Sequence, residues 1–229
     1  MAPRSWEKWL ESSGSDRVLQ TVRTGAELER AFEERRRRTP LSVRSLEFPR
    51  GSLIEVCGPR SSGRFALALA ALAAATSAGE AAALVDPADQ LDPFGALSAG
   101  VSLGRMLWVR PPKPRQVHAC AEALLDAGFS LVVLDLGEAP AARRAPHAAW
   151  LRLARAARSQ HSILLVVSAA ALCGTAADAQ LCAQKVRTLW DREGPPLLSG
   201  IASSLSVRHR RRLGALAANN TLSLTGPAE

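Results

Sequence analysis

The sequence predicts an α/β fold, with a mainly parallel central sheet flanked by helices and an antiparallel hairpin at its carboxy-terminal edge. From Gly51 onward, short apolar runs alternate with alanine-rich segments of helical length, which is typical of parallel strands buried on both faces. Two strand-like runs follow Gly194 and favour an antiparallel edge. The 229 residues, 47% of them hydrophobic and 22% charged, suffice for one substantial domain and a short appendage.

Residues 1–50 are predicted to form a helical appendage, and residues 51–229 the core domain. Trp6 and Trp9 mark one apolar helix face, and Thr24 followed by Glu27 offers a capping box for a second helix. We expect the two tryptophans to contact protein, because exposed aromatic residues commonly anchor interfaces.

Five apolar runs in the core domain predict the parallel strands. The helices that connect them fall in the intervening segments, which have the length of crossover connections. For the edge hairpin we expect a first strand ASSLSVRHR, a turn near Asn219 and Asn220, and a second strand TLSLTG. The five runs are LIEVCG (Leu53 to Gly58), AALVD (Ala82 to Asp86), MLWVR (Met106 to Arg110), SLVVLDL (Ser130 to Leu136) and SILLVVS (Ser162 to Ser168).

The positive charge of the chain is unevenly distributed. The net charge is +8, and the stretch from Arg143 to Arg158 contains five arginines and no acid, while Arg208 to Arg212 contains four arginines. Such clusters favour a polyanion such as DNA as partner. We expect sequence-independent binding of single- or double-stranded DNA, through Arg143, Arg144, Arg208, Arg210, Arg211 and Arg212.

The sequence pattern predicts neither a membrane-spanning segment nor a metal site. No apolar stretch is long enough to cross a bilayer and the amino terminus lacks the order of a signal peptide, so we expect a cytoplasmic protein without a membrane partner. The four cysteines and four histidines show no metal-ligand spacing, which predicts buried free thiols and no metal. The cysteines are Cys57, Cys120, Cys173 and Cys182.

One loop has the spacing of a phosphate loop but not its chemistry. Such a loop needs glycines, so that backbone N–H groups can wrap phosphates, then a lysine and a hydroxyl residue for the phosphates and magnesium. Here the lysine position is Arg64 and the hydroxyl position is Phe65. The loop reads GPRSSGRF, which is Gly58, Pro59, Arg60, Ser61, Ser62, Gly63, Arg64 and Phe65.

The loop resembles that of the RecA family, which begins with the same Gly-Pro and contains the same Ser-Ser-Gly. The segment ALVDPADQLDP (Ala83 to Pro93) resembles the RecA stretch that carries the catalytic glutamate and an adenine-contacting aspartate. In that alignment Asp92 and Pro93 are retained, but Ala88 stands at the glutamate position. Asp89, one residue away and with a shorter side chain, is a poor substitute for polarising water.

Two further positions follow from the same resemblance. SLVVLDL resembles the Walker B strand and places Asp135 where a magnesium-coordinating carboxylate would lie. After SILLVVS, Ser168 and Ala169 replace the asparagine and glutamine that sense the γ-phosphate in RecA. The RecA-like framework implies a P-loop fold without ATPase activity and without a cofactor. The two DNA loops of RecA correspond to Gly137 to His147 and Ala169 to Gln184, which are short here.

Among degenerate RecA relatives the chain resembles ImuA, through its size, VRTGAELER (Val22 to Arg30), FPRGSLIEV (Phe48 to Val56) and the altered loop. This resemblance implies a nucleoid-associated accessory protein of translesion DNA synthesis, induced by DNA damage. Its partners would be an ImuB-like protein and an error-prone DnaE-type polymerase, with RecA as a further candidate. Two alternatives stay open, a weak nucleotide-binding ATPase in which Arg64 replaces lysine, and a SulA-like inhibitor of cell division.

Overall fold

A computed structural model describes residue 34 and residues 39–138, 145–190, 198–210 and 219–225. The chain divides into two compact units, residues 1–39 and residues 40–229. The core unit therefore starts earlier than Gly51, and residues 41–50, which we assign to the appendage from the sequence, belong to it. The predicted helices around Trp6, Trp9 and Thr24 lie outside the described residues.

The core unit opens with a small hairpin of two antiparallel strands, β1 (Leu41–Val43) and β2 (Leu46–Phe48). Every second side chain is buried, as the alternation of a strand requires, and these four side chains are at most 4% exposed. They pack into the same apolar cluster as the first helix of the core. The hairpin thus covers part of one face of the main sheet.

The described strands of the main sheet lie in the order β10-β9-β8-β3-β7-β6-β4-β5. The strands from β8 to β5 in this order are mutually parallel, whereas β9 and β10 are antiparallel to their neighbours. β5 is an edge strand and is followed by Pro111 and Pro112. The bounds are β3 (Ser52–Cys57), β4 (Ala82–Val85), β5 (Met106–Val109), β6 (Leu131–Gly137), β7 (Ile163–Ser168), β8 (Ala179–Trp190), β9 (Leu198–Arg210) and β10 (Asn219–Thr225).

Helices cover both faces of this sheet. α1 (Arg64–Ser77) packs with the hairpin in one apolar cluster, and α3 (Val117–Asp126) and α4 (His147–Ser159) contribute to a second. A short helix, α2 (Pro93–Ser98), follows β4. Alternate residues of β3 divide between the clusters, with Leu53 in one and Ile54 and Val56 in the other. The predicted α/β fold is confirmed, and none of the described helices has the length and apolarity needed to span a membrane.

The strand β8 is not predicted from the sequence. We assign Ala169 to Gln184 to a loop from the sequence, but residues from Ala179 onward form β8. Only Ala179 to Cys182 of β8 pair with β3, so beyond Cys182 the strand pairs with β9 alone. The outer residues of β8 are largely exposed, and they lack the apolar run by which the other strands are recognised.

The predicted antiparallel hairpin at the edge of the sheet is confirmed, but the predicted position of its turn is wrong. β9 and β10 are antiparallel, and Asn219 and Asn220 pair with Ser206 and Leu205 rather than forming the turn. The connection between the two strands falls in residues 211–218, outside the described residues.

The cysteines are free thiols, as predicted. Cys57 and Cys182 occupy paired positions of β3 and β8, and their sulfurs lie 3.1 Å apart in the buried interior. Burial, with the neighbouring Cys182 thiol, raises the pKa of Cys57 to about 12. Cys173 is also buried, whereas Cys120 is half-buried. Protonated, buried thiols such as Cys57 are poor nucleophiles, so they act as small apolar residues here.

A half-buried histidine predicts a pH dependence of stability. His118 of α3 contacts the edge of Trp150 of α4, with 4.7 Å between ring centroids. Burial, and the positive charge of Arg152, lower the pKa of His118 below its ordinary 6.5. Because the unfolded chain then binds the proton more tightly, this contribution to stability is present above pH 6.5 and is lost as the pH falls through the lower pKa of the folded state.

We therefore expect wild type to lose more of its free energy of unfolding between pH 7 and pH 5 than His118→Phe does. Urea unfolding at several pH values measures this difference. The exposed His161 provides the control, and His161→Asn should keep the wild-type pH profile. Parallel profiles for wild type and His118→Phe would contradict the assignment to His118.

Candidate functional site: an altered phosphate loop

The candidate site lies at the carboxyl end of the central strand β3. The strand ends at Cys57, the loop occupies residues 58–63, and α1 begins at Arg64. The neighbouring strand is held close, because the Gly58 N–H donates to the Ser168 carbonyl over 3.2 Å. Ligands of α/β sheets bind outside the carboxyl ends of the strands, so the loop lies where such sheets commonly bind ligands.

The glycines of the loop are required by its shape. A Cβ on Gly58 would collide with the Ala183 carbonyl oxygen and lie 2.6 Å from the Ser62 hydroxyl oxygen. Gly63 has φ +86°, a left-handed conformation that glycine adopts without strain. Ser61 also has a positive φ, of 59°. The backbone framework of a phosphate loop is therefore present.

The arginine at the lysine position is engaged within the chain. Arg64 is 9% exposed, and its Nη1 donates to the Gly58 carbonyl oxygen of the same loop. Its Nη2 donates to the Glu138 carboxylate over 2.9 Å. Glu138 follows β6 and is a partner that the sequence analysis does not identify. Its proximity to Arg64 depends on the tertiary fold and leaves no pattern in the sequence.

An aromatic residue occupies the position where a phosphate loop has the Ser or Thr whose hydroxyl binds magnesium. Phe65 is half-buried and packs against the apolar cluster beneath α1. An aromatic ring offers no ligand to a cation, so the residues present do not fit the magnesium ion of a working phosphate loop. The described residues contain no group of three or more histidine, cysteine, aspartate or glutamate side chains placed to hold a metal.

The aspartates of the segment after β4 form a helix cap and an ion pair. Ala88 is exposed and brings no carboxylate, and Asp89 is turned to the surface, where it pairs with Arg110 at 3.3 Å. Asp92 caps α2 by accepting the N–H groups of Phe94 and Gly95, each over 3.0 Å. Pro93 takes the first position of that helix, where proline is favoured.

Asp135 lies where the sequence predicts it, near the end of β6. It is 8% exposed and accepts the Gly137 N–H over 3.0 Å. Burial raises the pKa of Asp135 above its ordinary value and Asp86 adds to this, whereas the Gly137 N–H and Arg64 oppose it. Ser168 ends β7, and its hydroxyl donates to the Ala170 carbonyl, so it also has a partner within the chain.

Asp86 is a buried carboxylate that the sequence analysis does not identify. It is 1% exposed and accepts the N–H groups of Ala88, Gln90 and Leu91. The indole N–H of Trp108 adds a fourth hydrogen bond at 3.3 Å. The residue therefore fixes the turn after β4, and its place at the end of an apolar run is the sequence signal that could have identified it.

Glu55 is the second buried carboxylate that the sequence analysis misses. It lies in the middle of β3, is fully buried and accepts the N–H groups of Leu172 and Cys173. The side-chain amide of Gln180, its partner in the β3–β8 ladder, donates to it over 2.8 Å. Glu55 thereby fixes the segment between β7 and β8 beside the loop. An acid inside the apolar run LIEVCG is the signal that could have identified it.

Few of the predicted DNA-contacting arginines are described. Arg143, Arg144, Arg211 and Arg212 lie outside the described residues. Arg208 is exposed on β9, and the backbone of Arg210 pairs with Ala179. The register shifts between the pairs Leu181–Val207 and Gln180–His209, so Arg208 is an extra residue in its strand. The regular alternation of β9 is therefore interrupted by a bulge at Arg208.

The structure adds two basic residues to this region. Lys185 and Arg187 are exposed on the outer half of β8, next to β9. The described residues of β8, β9 and β10 contain no aspartate or glutamate. The three strands therefore form a basic surface at one edge of the sheet.

Comparison with known proteins agrees with this geometry. A family model of the RecA N-terminal domain matches residues 41–145. RecA of Acholeplasma laidlawii is 39% identical over 89 residues, which are 38% of this chain and 27% of that protein. RecA of Bacillus pumilus is 40% identical over 89 residues, covering 38% of this chain and 26% of that protein.

The chain thus aligns with about a quarter of the length of the RecA proteins it matches. The matched range begins at the β1–β2 hairpin and includes the altered phosphate loop and the strand that carries Asp135. These matches support one conclusion: residues 41–145 of this chain are similar to the N-terminal domain of RecA, and the observed α/β fold is compatible with that similarity.

Proposed function

We propose that this chain is a non-catalytic RecA-like accessory protein of DNA damage tolerance, acting in translesion synthesis at the nucleoid. In this proposal it binds DNA through its basic edge and also binds a polymerase-like partner. Its similarity to RecA supports a role in DNA repair, and its departures from the phosphate-loop pattern support a role without hydrolysis.

The proposed lack of catalysis rests mainly on the contacts of Arg64. The cation that would face the phosphates, Arg64, already contacts a carbonyl and a carboxylate of its own chain. Around it, Phe65 removes the metal ligand and Ala88 removes the carboxylate that would polarise water. Phosphate binding, metal binding and water activation are therefore lost together, and hydrolysis needs all three.

We expect the purified protein neither to hydrolyse ATP nor to be stabilised by magnesium-ATP. A ligand that binds the native state must raise the melting temperature, so a thermal shift assay beside a phosphate-release assay measures both. The double variant Arg64→Lys, Phe65→Thr should still lack turnover, because Ala88 remains. Stoichiometric ATP binding, with turnover that Asp135→Ala abolishes, would show instead that the chain is an ATPase.

The basic edge supports the DNA-binding part of the proposal. Lys185, Arg187 and Arg208 are exposed there, on strands whose described residues carry no acid. Nucleic-acid phosphates are recognised by such surfaces with little dependence on sequence. A mobility shift at low salt, with single- and double-stranded DNA of several sequences, tests this. Absence of a shift on every probe would remove DNA from the proposal.

An exposed apolar surface supports a protein partner. On α2, Phe94 is 81% exposed and Leu97 is 57% exposed. Apolar side chains of this size on a surface commonly mark protein contacts. We propose an ImuB-like protein and an error-prone DnaE-type polymerase as the partners, with RecA as a third candidate. Loss of co-purification with such a partner after Phe94→Ser, Leu97→Ser would support this surface.

A further inference from the structure

The altered phosphate loop is closed by a carboxylate from another part of the chain. Glu138 follows β6, after Gly137 with φ +52°, and its carboxylate lies 2.9 Å from Nη2 of Arg64. The side chain of Arg64 is 11% exposed and that of Glu138 is 48% exposed. The pair thus connects the start of α1 to the end of β6, across the mouth of the loop.

The pairing uses the groups that would otherwise attract an anion. A helix amino terminus with a cation beside it favours negative charge, and here Arg64 is itself the first residue of α1. One of its terminal nitrogens is directed to the Gly58 carbonyl and the other to Glu138. Glu138 therefore occupies, as an anion built into the chain, the partner position that a phosphate would need.

The surroundings of Arg64 also oppose a second anion. Asp135 is close enough to Arg64 for the guanidinium to lower its pKa, against the larger effect of burial. A phosphate at Arg64 would have to displace Glu138 and would then lie among carboxylates. Glu138 competes from within the chain, at an effective concentration on the order of millimolar or above, so a weakly held anion competes poorly.

We propose that Glu138 is the residue that excludes phosphate groups from this loop. The inference rests on the proposed function, since it explains how a chain that keeps the loop framework stays free of nucleotide. Sites commonly achieve such specificity by placing a like charge against the unwanted ligand. Removal of the Glu138 charge should expose the guanidinium of Arg64 to anions from solution.

The test compares binding of inorganic pyrophosphate by wild type and Glu138→Gln, which keeps the side-chain size but removes its charge. We expect no rise in melting temperature for wild type and a concentration-dependent rise for Glu138→Gln. Calorimetry should show at least about tenfold tighter binding by the variant. The double variant Glu138→Gln, Arg64→Ala should lose this gain, which would place the anion at Arg64.

Glu122→Gln is the matched control. Glu122 pairs with Arg152 at 2.8 Å on the surface, so this change removes one carboxylate from a similar pair and alters the net charge equally. It should behave as wild type. Urea unfolding of each variant separates binding from loss of the fold. Equal pyrophosphate binding by wild type and a folded Glu138→Gln would overturn the inference.

Failure of this inference differs from failure of the proposed function. Turnover of ATP by wild type would refute the non-catalytic proposal itself. A Glu138→Gln protein that gains no anion binding, beside a wild type without turnover, would refute only the role of Glu138. Beside a wild type without turnover, Glu138→Gln should not hydrolyse ATP either, because Phe65 and Ala88 are unchanged.

Discussion

Replacement of Glu55 by alanine is expected to lower the free energy of unfolding by about 3–5 kcal/mol, a large fraction of the stability of an ordinary domain. The fully buried carboxylate accepts two backbone N–H groups and the amide of Gln180. Its removal leaves these donors buried without an acceptor, and each such group costs about 1–3 kcal/mol. Urea unfolding followed by circular dichroism measures the change.

Three further variants make this result specific. Glu55→Gln keeps the shape and one oxygen acceptor, so an intermediate loss is expected. Glu122→Ala removes the half-buried carboxylate of a surface ion pair and should cost about 0–1 kcal/mol. A Glu55→Ala protein within 1 kcal/mol of wild type would mean that the segment after β7 is held by something other than Glu55. Gln180→Ala should lose part of the same stability, because it removes one of the three donors.

Replacement of Arg208, Arg210 and Arg212 by alanine is expected to weaken DNA binding and to flatten its salt dependence. Each phosphate contact adds roughly 0.7–0.9 to the slope of log affinity against log salt, so three lost contacts lower it by about two to three units. Because a bulge interrupts the strand at Arg208, the expected effect rests on clustered charge rather than on one aligned face. Titrations by fluorescence anisotropy at several salt concentrations measure the slope.

A second triple variant provides the charge control. Arg105 and Arg110 flank β5 at the opposite edge of the sheet, and the exposed Arg115 follows β5 in the chain. Their replacement by alanine removes the same charge but should leave the slope nearly unchanged. Equal slopes for wild type and the Arg208 triple variant would place the DNA contacts elsewhere. Lys185 and Arg187 would then be the next residues to replace.

The inner strands could be predicted from the sequence because burial on both faces leaves an apolar run. β3, β6 and β7 are buried along nearly their whole length. β8 could not, because only its first residues pair with β3 and its outer half is exposed, so its sequence AQLCAQKVRTLW lacks such a run. The predicted turn at Asn219 is wrong because asparagine favours turns but can also lie in an edge strand.

The glycine positions of the phosphate loop could be predicted from the sequence, but the ion pair that closes the loop could not. Glycine spacing is local and visible in GPRSSGRF, and Gly58 and Gly63 have the geometry it implies. The ion pair of Arg64 with Glu138 joins residues 74 positions apart in the chain, and no local pattern encodes it. The bulge at Arg208 likewise depends on pairing with β8, so no local pattern in the sequence predicts it.

The short strand β5 also limits how the sheet can grow. It has four residues, begins after a tight turn and is followed by Pro111 and Pro112, which supply no backbone N–H group. An incoming chain could form only a few backbone hydrogen bonds there before it met the prolines. Open sheet edges recruit foreign strands and lead to aggregation, and short, proline-terminated edges resist this. We therefore expect that the exposed Leu107 on β5 does not recruit a strand from another chain.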